Sequence, residues 1–83
     1  MKLTVKYFAS IREALGQGSE ILDTASPDLA TLRDELIARG GPYAQALARG
    51  KAVRVALDQV MSDESAGLNE GCEVAFFPPL TGG

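Results

Sequence analysis

The chain has no histidine, no tryptophan and a single cysteine in 83 residues. Without histidine it lacks the side chain most used as a general base near neutral pH and the commonest metal ligand. It also lacks every Ser-His or Cys-His nucleophile pair. One cysteine excludes an internal disulfide and any multi-cysteine zinc site. Acidic residues outnumber basic ones, 11 to 8, for a net charge of −3. A nucleic-acid footprint calls instead for a basic face, so no nucleic-acid partner is expected. No apolar run approaches the ~20 residues of a membrane span, so no membrane partner is expected either.

What is present suits a small globular domain: 46% apolar and 23% charged residues. A chain of this length makes one compact domain and cannot house a deep, multi-part active site. Met1 runs directly into the alternating stretch Lys2 to Lys6. No secretory leader is therefore expected, and a reduced, cytoplasmic setting fits the single thiol.

Lys2 to Phe8 alternates as a strand, with Leu3, Val5 and Tyr7 on one face and Lys2, Thr4 and Lys6 on the other. Ser10-Ile11-Arg12-Glu13 has the spacing of a capping box, predicting a helix start at Ser10. Gly16 and Gly18 keep that helix short. Glu20 to Thr24 reads as a second strand. Ser26-Pro27-Asp28 is a turn and N-cap cluster, after which Leu29, Leu32, Leu36 and Ile37 follow a helical period. Gly40 and Gly41 end that helix, and Pro42 opens a shorter one through Leu47. Val53 to Leu57 alternates again, Asp58-Gln59 reads as a tight turn, and Val60-Met61 as a brief return strand. A polar loop anchored by Leu68 leads to the last strand, Glu73 to Phe77, stopped by Pro78-Pro79. The economical packing is an α+β, β-grasp arrangement, a mixed sheet of about five strands on one main helix plus short helices. The two apolar end strands belong side by side in its middle. The domain spans residues 1–77, and residues 78–83 form an extended tail.

The informative segment is that tail. Val74 and Phe76 share a parity and enter the core; Phe77 points the other way and is a candidate contact residue. Pro78 and Pro79 cannot join a ladder and hold the chain extended. The six residues after Phe77 reach roughly 20 Å. Gly82 and Gly83 lack a Cβ, so the tip is slim enough to thread a narrow channel. Phe8 breaks the parity of the first strand as Phe77 breaks that of the last. With those strands adjacent, Phe8 and Phe77 share an outer surface, and Met61 and Arg12 are expected to complete a partner-binding patch; the rival reading is that Phe8 and Met61 finish the edge of the core.

Two segments carry a family likeness across nearly the whole chain: Val5-Lys6-Tyr7-Phe8-Ala9-Ser10-Ile11-Arg12-Glu13, and Gly71-Cys72-Glu73-Val74-Ala75-Phe76-Phe77-Pro78-Pro79-Leu80-Thr81-Gly82-Gly83. On these the chain resembles the MoaD family of ubiquitin-like sulfur carriers, the small subunits of molybdopterin synthase. It departs from the family in Cys72 for Asp, Asp58 for Asn, and Leu80-Thr81 for Val-Ser or Val-Thr. The resemblance implies that the Gly83 carboxylate is the reactive group, converted to an acyl-adenylate and then a thiocarboxylate. Pro78, Pro79, Leu80, Thr81 and Gly82 would thread it into the partner. No cofactor is bound permanently; ATP is used by the activating partner. The implied partners are the large synthase subunit, a ubiquitin-activating-enzyme-like adenylyltransferase and a sulfur donor protein. Two small and two large subunits would form a heterotetramer. Acid–base groups would belong to the large subunit, making this chain a sulfur-donating rather than a catalytic subunit. Gly83 is expected as the end of the chain, with no protease step. Rival readings are a thiamine-pathway or cysteine-pathway sulfur carrier, a ubiquitin-like protein modifier, or an interaction module with an idle tail.

Other residues read as structural. Cys72 has no neighbouring cation to activate it. Asp34-Glu35 and Asp63-Glu64 read as solvated acid pairs without calcium-loop spacing, so no metal is expected. Arg49, Lys51 and Arg54 form the one basic cluster, read as a solvated loop rather than a nucleotide site, with contact to an acidic partner surface as the alternative.

Overall fold

The computed structural model describes residues 1–79. Along the chain run β1 (Lys2–Tyr7), α1 (Ala9–Leu15), β2 (Ser19–Asp23), α2 (Leu29–Ile37), α3 (Gly41–Ala46), β3 (Arg54–Leu57), β4 (Val60–Ser62) and β5 (Glu73–Phe77). The strands form one mixed sheet in the order β2-β1-β5-β3-β4. β1 and β5 run parallel, with Val5 opposite Val74 and Tyr7 opposite Phe76; the other pairs are antiparallel. The two apolar strands lie side by side, as their composition predicts, because a central strand must be buried by its neighbours as well as by the layer above it.

Leu3, Val5, Tyr7, Val55, Val74 and Phe76 project from the sheet onto Leu29, Leu32 and Leu36 of α2, with Ile11 and Leu47 closing the ends. The 3.6-residue period of α2 meets the 2-residue period of the strands, which is what a two-layer core needs. Ile37, on the same helical face, packs at the rim. Asp28 caps α2 by accepting from the Thr31 amide at 2.8 Å. Cys72 is buried in this core beside Val74, an inert position for a thiol.

α1 begins two residues earlier than the capping pattern predicts. Its N-cap is Phe8, with no side-chain cap, so Ser10 sits inside the first turn and the box does not form. The sheet decides this. The Phe8 amide extends the ladder by donating to the Phe76 carbonyl at 3.2 Å, while the Phe8 carbonyl accepts from Ile11 and Arg12. The chain turns between those bonds at Ala9, whose φ of 51° is in the left-handed region. Gly16, at φ 75°, ends the helix in the same region, where a Cβ is disfavoured. The Asp58-Gln59 turn also has positive φ at both positions, 49° and 67°, the signature of a type I′ hairpin. Asp58 Oδ1 accepts from the Glu73 amide at 2.9 Å, tying that hairpin to β5.

Two polar networks hold the layers together, and they revise the reading of the acid pairs. Glu64 and Asp34 are not merely solvated. Arg33, a buried side chain on α2, donates to the carbonyls of Leu47 and Ala48 at 2.8 and 2.6 Å, to that of Lys51 at 3.1 Å, and to Glu64 at 2.6 Å. Arg49 binds Glu64 and Asp34. Glu35 accepts from the hydroxyls of Thr24 and Ser26. Arg49 therefore leaves the predicted basic cluster and serves the fold.

The second network centres on Glu20, which accepts from Tyr7 at 2.8 Å, from Tyr43 at 3.1 Å and from Arg39 at 3.0 Å. Burial raises the affinity of this carboxyl for a proton. Hydrogen bonds from Tyr7, Arg39 and Tyr43, with the Arg39 charge, outweigh that and hold it below its ordinary 4.5. For Glu64 burial again raises, and the bonds from Arg49 and Arg33 again prevail, so it too lies below 4.5. Carboxyls depressed by folding add stability above their unfolded value, and that stability is lost as pH falls through the folded one. Thermal melts should thus be nearly flat from neutral pH down to about 4.5 and fall below it. Glu20→Gln should lower the melting temperature at neutral pH and flatten the acid limb. An unchanged acid limb would assign the pH response to other groups.

Candidate functional site

β5 is the middle strand of the sheet, and the chain leaves its end at Phe77 through Pro78 and Pro79, both half-buried. The tail therefore departs from the most firmly held strand. Leu80, Thr81, Gly82 and Gly83, named above as the threading and reactive residues, lie outside the described residues.

Phe8 and Phe77 do meet. Their rings stack at 4.6 Å between centroids and 9° between planes, on the sheet face opposite α2. The reason is register. Tyr7 pairs with Phe76 across the parallel ladder and both point into the core, so the next residue on each strand points out. A stacked aromatic pair is worth about 0.5–1.5 kcal/mol beyond its buried area. Phe8 nevertheless remains 39% exposed, which leaves a flat apolar face beside the root of the tail.

Met61 is on the same face, since it pairs with Ala56, which pairs with Ala75. It is exposed, and it is set apart from the rings by those two small residues and by Arg54, the partner of Phe77 on β3. The face is thus an aromatic pair and an outlying methionine, with a shallow alanine floor between them. Arg12 is on α1, and its guanidinium lies over Gly18, where an added Cβ would come within 3.1 Å of Nε. This contact directs Arg12 toward the α1–β2 turn.

Sequence reasoning passed over a cleft on the other side of the tail root. Ser10, Ile11 and Ala14 of α1, Ala46 of α3, Lys51, Ala52 and Val53 line it together with Pro78 and Pro79. No single stretch of sequence signals it, because its walls come from three separate segments.

No described helix is long and apolar enough to cross a membrane. Residues 5–83 match the ThiS family. The chain belongs to the ThiS family. This ThiS-family chain is similar to a molybdopterin synthase sulfur carrier subunit from Haemophilus influenzae, 36% identical over 81 residues, covering 98% of this chain and 99% of that one. In structure it is similar to a chain in the complex of subunits 1 and 2 of molybdopterin-converting factor from Helicobacter pylori. That match has a TM-score of 0.70 at 23% identity and covers both chains completely. It is also similar to small archaeal modifier protein 1 from Methanosarcina acetivorans, with a TM-score of 0.76 at 18% identity over 99% of this chain and 96% of that one. At those identities the structural likenesses speak for the β-grasp fold alone. That fold is common to carriers and modifiers, so it does not choose between them.

The aromatic face carries a prediction. Phe77→Ala should weaken binding to the protein that takes the tail by about 2 kcal/mol, as for a central interface anchor. Because the ring is outside the core, the melting temperature should fall only modestly, through loss of the stack with Phe8. Titration calorimetry beside thermal melts separates the two effects, and a large fall in melting temperature with unchanged affinity would make Phe77 a structural residue.

Proposed function

We propose that this chain is the sulfur carrier subunit of a molybdopterin synthase. The observation that carries the reading is the 36% identity to such a subunit over 98% of the chain. The Phe-Phe-Pro-Pro approach to Gly-Gly supports it.

A carboxylate is unreactive toward sulfur nucleophiles because it is already an anion with a poor leaving group. In the proposed cycle, a ubiquitin-activating-enzyme-like adenylyltransferase spends ATP on Gly83. The carboxylate oxygen attacks the α-phosphorus, pyrophosphate leaves, and the acyl-adenylate has an electrophilic carbonyl. The outer sulfur of a persulfide on the donor protein attacks that carbonyl and AMP leaves, giving an acyl disulfide. A second thiol of the donor system then attacks the donor's sulfur, so the donor leaves as a disulfide and the thiocarboxylate remains on Gly83. Threaded by Pro78, Pro79, Leu80, Thr81 and Gly82 into the large synthase subunit, that sulfur is a good nucleophile toward the pterin precursor. Two such deliveries build the dithiolene of molybdopterin. The chain contains no histidine, and the reading assigns the proton transfers of the cycle to the large subunit. Phe8 and Phe77, with Met61 and Arg12 at the margin, are the proposed docking residues. Two carriers on a dimer of large subunits, acting in the cytoplasm, complete the proposal.

Intact-mass measurement tests it. After incubation with ATP, the sulfur donor and the activating enzyme, the chain should gain the mass of one oxygen replaced by one sulfur. Transfer of that sulfur should then follow on adding the large subunit and pterin precursor. An unchanged mass, with the enzyme active on a control carrier, would exclude carriage. A gain of target proteins joined through Gly83 would favour the modifier reading.

A further inference from the structure

The aromatic pair is too small to hold a permanent subunit. A stable protein–protein interface buries about 800 Å² on each partner, and two stacked rings with a detached methionine offer a fraction of that. A brief encounter with an activating enzyme needs less; a synthase subunit needs more. The threaded tail supplies part of the remainder, and any contact that carries the interface onto the folded body adjoins the tail root, because the tail enters the same partner.

The cleft described above is in that place. It measures about 290 Å³, and Pro78 and Pro79 form one wall. Its lining is mostly apolar, with Ile11, Ala14, Ala46 and Val53 beside Ser10 and the one cation, Lys51. Lys51 is exposed and takes part in none of the ion pairs among the described residues, although the chain as a whole is acidic. Its backbone is nevertheless fixed, because its carbonyl accepts from the buried Arg33 at 3.1 Å. An apolar slot with one rigidly based cation suits an apolar side chain next to a carboxylate.

We infer that this cleft is a second docking site for the large synthase subunit, receiving from it an apolar side chain flanked by an acidic residue. The inference rests on the sulfur-carrier reading above. With the aromatic pair on one side of Pro78-Pro79 and the cleft on the other, the partner grips the tail root from both faces. The tail then enters with its direction set.

The test uses the full chain and the large subunit, with affinity read by calorimetry at low and high salt. Lys51→Glu should weaken binding about fivefold or more at low salt, in the range of a partly exposed ion pair replaced by repulsion. High salt should shrink the difference. Ala14→Trp, which fills the slot from an exposed helical position, should weaken binding about tenfold, as loss of one packed side chain does. Both variants should melt with the wild type. Should Ala14→Trp not fold, Lys51→Glu and Lys51→Met carry the test. Wild-type affinity in the charge variants would overturn the inference while leaving the carrier reading intact. Absence of any binding by the wild type would overturn both. Two other occupants are open to measurement, and finding either would overturn the inference. Methyl resonances of Ala14 and Ala46 that shift when residues 80–83 are removed would mean that the chain's own tail fills the cleft. Concentration-dependent self-association abolished by Lys51→Glu would mean that a second copy does.

Discussion

A chain ending at Gly82 is expected to fold with an unchanged melting temperature and to transfer no sulfur. The two halves of this expectation have different causes. Every core residue of the described chain lies at or before Phe76, and Gly83 has no side chain to add to it. Chemistry at the terminus is far less forgiving. Shortening by one residue draws the acyl group back by about 3.5 Å, and a reacting atom misplaced by as little as 1 Å can cost about a hundredfold in rate. Sulfur loading and dithiolene formation should therefore both drop to background. Mass spectrometry of the loaded carrier and a melt on the same sample check the two halves together. A parallel loss of stability and activity would instead mean that the tail belongs to the folded body.

The largest effect on stability is expected at Arg33. Its guanidinium is buried, binds three backbone carbonyls and Glu64, and so joins α2 to the segment after α3 and to the loop before β5. In Arg33→Ala the carbonyls of Leu47, Ala48 and Lys51 lose their donor, and Glu64 keeps only Arg49. Breaking a buried charged pair costs about 3–5 kcal/mol, a large part of the roughly 5–15 kcal/mol that holds a domain folded. Denaturant titration should show a midpoint far below the wild type. Arg33→Lys should recover little, because one ammonium cannot reach three carbonyls and a carboxylate as a planar guanidinium does. A loss under about 1 kcal/mol would show that water replaces the missing donors without penalty.

The same residue marks the limit of what could be read along the chain. Leu29, Leu32 and Leu36 announced the face of α2, and Arg33 among them would pass for a surface residue. Only its folded surroundings show that it reaches carbonyls fourteen to eighteen positions away. Glu64 likewise reads as half of a solvated pair, since nothing local shows that two arginines converge on it. The capping box at Ser10 failed for a related reason. It is a local pattern, and the ladder between Phe8 and Phe76 started the helix first.

Periodicity and composition, by themselves, determined the architecture of this protein: which strand residues face inward, where the main helix lies, and that the two apolar strands at the ends of the chain are neighbours. Periodicity also placed Phe8 and Phe77 on one outer surface, because a residue following a buried partner must point away. Tertiary structure alone decided what those rings do together, which charges are spent inside the fold, and that three distant segments enclose a cleft at the root of the tail. Alternation is a local property of the backbone and survives in the order of residues. Stacking, ion pairing and concavity arise between segments, and they exist only once the chain has closed.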